Sequence, residues 1–279
     1  NYAIYSTNSA NTTVKNSAFT TSRFDVFISA SARKYCTMNF ENTYGTPTTT
    51  NSTPGIKIID YPNAELNNIL NDLTEIIICF AQNVSVKNIE ISHSTQTNGI
   101  LVINSSNVTF TDVKLSVNSV GIDLTDSKNV FIENSTITSA YDAAISANRC
   151  ENVLVKNIST QKTYFGTKIE HSKNVTVNKV KMTNSRYGVT SYFSQGVRIA
   201  NVSFSASEYL DIDVKADNPM QCPAIENCNG SEGKNILYYK NLNSASLSNM
   251  SPDELILCNT SNLTIRNVTI IRTIKKNNG

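Results

Sequence analysis

The chain has 279 residues, 39% of them hydrophobic and only 16% charged, with no Trp and a net charge of +2. Uncharged polar residues must therefore carry the hydrophilic surface, and Asn alone supplies about one residue in seven, well above background. A balance of 24 basic against 22 acidic residues gives no field to hold a polyanion, which argues against nucleic acid as a partner.

No apolar run approaches the roughly 20 residues of a membrane span. The longest, Ile76-Ile77-Ile78-Cys79-Phe80-Ala81, has the length of a strand. With no initiator Met and no signal peptide, the chain is expected to be a mature product or a fragment. No Cys-x-x-Cys or Cys/His spacing suggests zinc.

In chain order, a first short motif begins at Asn11. After a long interval it returns as Asn83-Val84-Ser85-Val86-Lys87-Asn88-Ile89-Glu90-Ile91, and then from Asn107, Asn129, Asn152, Asn174 and Gly196, with a last copy at Asn262. The central steps are 24, 22, 23, 22 and 22 residues, a solenoid period. Each copy alternates β-branched and polar residues and adds a second apolar pair after a gap, as in Gly121-Ile122-Asp123-Leu124, so the elements are strands. Such short strands cannot bury a core alone, but stacked turns bury one continuous column. The predicted fold is all-β: a right-handed, single-stranded parallel β-helix of about 22 residues per turn, with rungs about 4.8 Å apart.

Two columns of bend residues fit this reading. Position zero of the motif is Asn11, Asn83, Asn107, Asn129, Asn152, Asn174, Gly196 and Asn262; position five is Asn16, Asn88, Asp112, Asn134, Asn157, Lys179, Asn201 and Asn267. Asn, Asp and Gly tolerate the left-handed backbone that a bend requires, and stacked amides can hydrogen-bond from turn to turn. Lys179 interrupts the second column.

A longer repeat of roughly 180 residues overlies the short one. Tyr2 to Asp25 matches Tyr187 to Asp211, Cys36 matches Cys222, Gly55 to Tyr61 matches Gly233 to Tyr239, and Cys79 matches Cys258. One continuous domain over 1–279 is expected, with coil at 1–35, 79–214 and 258–279, lateral inserts at 36–78 and 215–257, and a place within a longer array.

The motifs SNVTFTDVKLSVNSVGIDL at 106–124 and ELILCNTSNLTIRNVTI at 254–270 resemble the pectate-lyase-like right-handed β-helix superfamily. They are closer still to the NosD-like, carbohydrate-binding and sugar-hydrolase repeats common in archaeal surface proteins. That resemblance implies the fold; for activity it spans lyases, hydrolases, surface structural proteins and binding modules. Its enzymes set several carboxylates, with Arg or Lys, on one face of adjacent turns. Here Asp123, Asp142, Glu170, Asp211 and Asp213 do not share one column, and the Asn-Thr-Asp, Asp-Asp, Gly-His-Gly and Arg-Ile-Lys set of the galacturonases is missing, so no catalytic residue is assigned. No cofactor is assigned either, although Asp211 and Asp213, two residues apart on one strand, could hold a calcium ion. Copper, which the NosD resemblance brings to mind, would need soft ligands, yet His93, His171, Met38, Met182, Met220 and Met250 form no cluster in the sequence.

Tyr141, Tyr164, Tyr187 and Tyr209 fall twelve or thirteen residues after their anchors and are expected to stack as a ladder, either closing a corner or offering a platform to sugar rings. Of about fourteen Asn-x-Ser/Thr triplets, most lie on the bend columns; Asn51, Asn104, Asn229, Asn249 and Asn259 lie off them and are the expected glycan sites. Equivalence across the long repeat suggests disulfides Cys36–Cys79 and Cys222–Cys258, with Cys222–Cys228 a rival pairing and Cys150 a buried free thiol. The expected role is a structural protein at the cell surface (a layer, sheath, filament or adhesin) that acts by self-association or contact with other surface proteins. The alternative is a polysaccharide lyase or hydrolase, or a carbohydrate-binding module.

Overall fold

Residues 2–7, 12–15, 24–29, 38–41, 55–59, 62–70, 73–92, 98–116 and 119–271 are described in a computed structural model. The alternation of Val, Ile and polar residues folds them into a parallel β-solenoid of about 9 turns with roughly 22 residues per turn. One wall is an eight-stranded sheet built from Gly55–Ile59, Leu73–Cys79, Ile100–Ile103, Val120–Thr125, Ala143–Asn148, Phe165–Glu170, Tyr187–Tyr192 and Leu210–Lys215 in spatial order. An eleven-stranded sheet supplies the other two walls. Its longest strands, Glu151–Gln161 and Lys173–Thr183, run over a bend at Asn157 and Lys179, where φ is 55° and 54°.

Strand register stacks like on like. Val86, Phe110, Ile132, Val155, Val177, Ile199 and Ile225 form one inward column of the second sheet. Facing them from the first sheet are Ile76, Ile100, Ile122, Ile145, Thr167, Val189 and Ile212. Burial of each large aliphatic side chain contributes about 1.5–3 kcal/mol, so the column itself is the principal stabilising element. Within the first sheet, a Cβ on Gly166 would run into Met182, and one on Gly188 into Phe204 and the backbone of Asp211. Those glycines let the sheet close onto the core.

The turns that begin at Asn129, Asn152 and Asn174 each contain four left-handed bends. Besides the two columns read from the sequence, a third comprises Phe80, Asn104, Asp126, Arg149, His171 and Phe193, and a fourth Ser139, Lys162, Asn184 and Ala206. Most of these are not Asn, and cross-rung contacts accompany the costly geometry. Arg149 binds Asp126 through two hydrogen bonds of 2.7 and 2.8 Å, and the His171 ring stacks on Phe193 at 5.6 Å. The first Asn column is an unbroken ladder. Asn83, Asn107, Asn129, Asn152 and Asn174 each donate from Nδ2 to the preceding rung's Oδ1, at 2.9 to 3.1 Å, beginning with Asn63. Gly196 ends it.

A buried hydroxyl ladder runs beside it. Ser105, Ser127, Ser172 and Ser194 accept the N–H of the rung before, from Ala81, Ser105, Cys150 and Ser172 respectively. Cys150 occupies the rung between Ser127 and Ser172, and its sulfur takes the Ser127 N–H. Cys228 is likewise free and buried, with Sγ against Glu226 O. Burial pushes the Cys150 thiol up to about 11 and raises that of Cys228.

Both expected inserts contain coil. Gly55–Ile59 pairs in parallel with Leu73–Cys79, and Glu65–Leu70 with Gln82–Ile91. In the second, Ile236–Lys240 pairs with Glu254–Cys258 and Ser246–Met250 with Thr264–Val268, eighteen residues apart. The shortened turns explain the difference, since strands spaced this closely do not align with anchors counted at about 22. Of that insert, 216–235 remains outside the regular pairing apart from Ala224–Glu226, which joins Arg198–Ala200. Two buried carboxylates hold this excursion to the coil: Asp211 accepts from Ser231 N and Oγ, and Asp253 from Glu232 N and Lys234 N.

Candidate aromatic and polar face

The outer surface of the eight-stranded sheet brings the candidate residues together. Side chains alternate across a strand, so the neighbours of the inward Ile122, Ile145, Val189 and Ile212 point out. The register aligns Asp123, Ser146, Lys168, Thr190 and Asp213 in one outward column. A second column holds Thr125, Asn148, Glu170, Tyr192 and Lys215. Asp123 and Asp213 thus share a column, while Asp142 and Asp211 lie elsewhere.

Rings border this face. Tyr164 meets Phe165 at 4.7 Å and Tyr187 at 5.8 Å, Phe165 stacks on Tyr187 at 5.2 Å, and Tyr187 meets Tyr209 at 5.2 Å. The expected four-Tyr ladder is therefore altered. Tyr141 is 87% exposed and joins none of these ring contacts. Phe165 takes its place, and the rings zigzag between two register positions, with Phe165 opposite Tyr187 and Arg186 opposite Tyr164 and Tyr209. The Arg186 guanidinium lies 5.2 Å from the centre of the Tyr164 ring and also pairs with Glu208 at 2.9 Å.

The polar columns are internally matched. Lys168 pairs with Glu170 at 2.9 Å, Tyr192 donates its hydroxyl to Asp213 at 2.6 Å, and Lys215 Nζ stands 4.1 Å over the Tyr192 ring. Burial and that bond to Asp213 hold the Tyr192 hydroxyl far above its ordinary range. Burial raises Asp123 to about 6 against a hydrogen bond from Ser146 that lowers it; nearby Asp142 raises it further and Lys168 lowers it. Thr190, wholly buried between Lys168 and Asp213, has a hydroxyl with no protein partner.

Asp211 and Asp213 do not converge. Asp211 is wholly buried and committed to Ser231, and Asp213 is bound to Tyr192. Below them a groove of about 460 Å³ runs between Ile212–Val214 and Leu255–Asn259, beside the Cys222–Cys258 disulfide. That bond resolves the rival pairing with Cys228, whose thiol is free. Cys79 is also disulfide-bonded; its expected partner Cys36 lies outside the described residues.

Among the expected glycan sites, Asn51 lies outside the described residues. Asn104 sits half-buried at a bend, and Asn229 is exposed on the excursion. Asn249 and Asn259 were expected off the bend columns but occupy bends of the 18-residue turns. Asn259 Nδ2 donates to Asn241 at 2.6 Å, and Asn249 Oδ1 accepts from Asn267 at 3.1 Å. Phe165, Lys168, Thr190 and Tyr192 were not singled out in the sequence. Phe165 had a legible signal, standing 22 residues before Tyr187, one full turn.

A parallel β-solenoid with an aromatic and polar outer face defines the class of molecule. Its family follows from a match of residues 38–219 to the family model described as periplasmic copper-binding protein (NosD), and the chain belongs to that family. Among solved structures it is similar to PfbA, a surface adhesin of Streptococcus pneumoniae, at 13% identity over 84% of this chain and 75% of that one, with a TM-score of 0.36. It is also similar to QnrB1, a plasmid-mediated fluoroquinolone resistance protein, at 8% identity over 63% of this chain and 93% of that one, with a TM-score of 0.14. No curated protein matches the chain.

Copper does not fit the described residues. They contain no group of three or more His, Cys, Asp or Glu side chains able to hold a metal ion. His171 is stacked on Phe193, Met182 is buried in the core, and both free thiols are buried in the coil. His93 lies outside the described residues.

Proposed function

We propose that this protein is a surface β-helix, exposed outside the cytoplasm, that works by binding an extended carbohydrate along the outer face of its eight-stranded sheet. The continuous ring contact Tyr164–Phe165–Tyr187–Tyr209, bordering a polar strip, carries the reading. Rings offer an apolar platform to the C–H face of a sugar, and the strip offers donors and acceptors to its hydroxyls. The Cys222–Cys258 disulfide and the periplasmic description of the family model support the location. Affinity electrophoresis against a panel of polysaccharides tests the reading: retardation should be lost in Tyr164→Ala and Tyr187→Ala, and retention of full binding by both would refute it.

A second reading, association of copies into a layer, sheath or filament, is favoured by exposed apolar side chains on and just after the strand Thr264–Val268. Ile265, Ile270 and Ile271 are 45%, 48% and 60% exposed. Concentration-dependent sedimentation that disappears in Ile270→Ser/Ile271→Ser would support it; a monomer at every concentration would count against it.

A further inference from the structure

We infer that the ligand of this face is an uncharged, extended polysaccharide lying along the coil axis, and not a polyuronate; this rests on the carbohydrate-binding reading above. Recognition of an acidic sugar needs cations free to meet its carboxylates. Among the described residues, Lys168, Arg186 and Lys215 stand on or beside the face, and each already has a partner. Lys168 is held by Glu170 at 2.9 Å, with both side chains about a quarter exposed, at 25% and 27%. Arg186 is held by Glu208 at 2.9 Å and lies over the Tyr164 ring. Lys215 lies over the Tyr192 ring, whose hydroxyl binds Asp213. Asp213 ends the polar column at the Leu210–Lys215 strand and Asp142 stands in register with Tyr164, so an incoming polyanion meets carboxylates beside cations that already have partners.

A neutral chain meets no such penalty. Its apolar ring faces lie on the aromatic border, while its hydroxyls reach the Lys168–Glu170 pair and Asp213. Successive rungs, about 4.8 Å apart, approximate the length of one sugar in an extended, equatorially linked chain, so consecutive sugars meet consecutive rungs.

Binding of the intact protein to soluble neutral β-glucan and mannan and to polygalacturonate and alginate, each at low and high salt, tests the inference. Expected is binding to a neutral polymer that is insensitive to salt, with polyuronate affinity at least about tenfold weaker. Polyuronate binding of equal or greater strength that salt abolishes would overturn the inference and leave the carbohydrate reading standing. Binding to neither class would sink the reading itself. The variant Glu208→Gln, checked for its β-sheet circular dichroism, releases Arg186 without touching the groups that meet the sugar hydroxyls; polyuronate affinity should rise about fivefold while neutral-glycan affinity holds. No rise in the folded variant would overturn the charge argument.

Discussion

Tyr187 lies opposite Phe165 in the strand register, their ring centroids 5.2 Å apart, and one residue out of step with Tyr164. The aromatic border is therefore built from two adjacent positions per rung, and Tyr187 is its hub, touching Tyr164, Phe165 and Tyr209. Tyr187→Ala should destabilise the protein by about 1–3 kcal/mol in urea unfolding, whereas Tyr141→Ala should fall within about 0.5 kcal/mol of wild type. Equal losses would mean that the rings do not act as a connected set.

Asn129 donates to Asn107, accepts from Asn152 and holds a φ of 52°. Asn129→Ala loses both bonds and strains the bend, for an expected cost of about 2–3 kcal/mol. Asn129→Gly keeps the backbone freedom and should cost about 1 kcal/mol less than the Ala variant. The denaturation midpoints of the two variants separate backbone from ladder.

Cys150 stands where the neighbouring rungs carry Ser. Cys150→Ser should leave stability within about 1 kcal/mol of wild type, because the hydroxyl can take over the Ser127 N–H. The thiol, raised to about 11 by burial, should resist alkylation in the native protein and react only on unfolding. Rapid native labelling, read by mass spectrometry, would contradict this.

Asp123 carries a pH signature. Its folded value of about 6 stands above the unfolded 3.8, so the folded state binds the extra proton between them. Stability should therefore fall as pH rises through that window and level off above it. Asp123→Asn removes the cost of the buried charge and should flatten the profile, raising stability at neutral pH by about 1–2 kcal/mol. Parallel profiles for variant and wild type would rule this out.

The Cys222–Cys258 bond closes a loop with a sequence separation of 36. Reducing it should cost about 3–4 kcal/mol on the chain-entropy model. Loss of amide protection is expected first in 216–258 and not in the central turns. Uniform loss of protection across the coil would show that the two regions unfold as one.

What the sequence made legible followed from residue type. Asn83 through Asn174 repeat one amide at one bend, so period, strand direction and inward face could all be read from them. The third and fourth bend columns use Phe80, Arg149, His171, Lys162 and Ala206, whose identities announce no left-handed backbone. Ring partners were harder still, because counting from an anchor cannot resolve a one-residue step such as that between Tyr164 and Phe165. The turns at 55–70 and 236–257 escaped because their spacing is shorter. Lys168 gained significance only when folding set it between Ser146 and Thr190.

In the ladder from Asn63 to Asn174 every amide points the same way, NH2 toward the rung before it. The column is thus a stack of dipoles in series, electron-poor at Asn63 and electron-rich at the Asn174 oxygen above Gly196. The coil acquires an electrical sense of direction that its near-neutral net charge conceals, so a neighbour approaching along the axis would distinguish one end from the other before touching either.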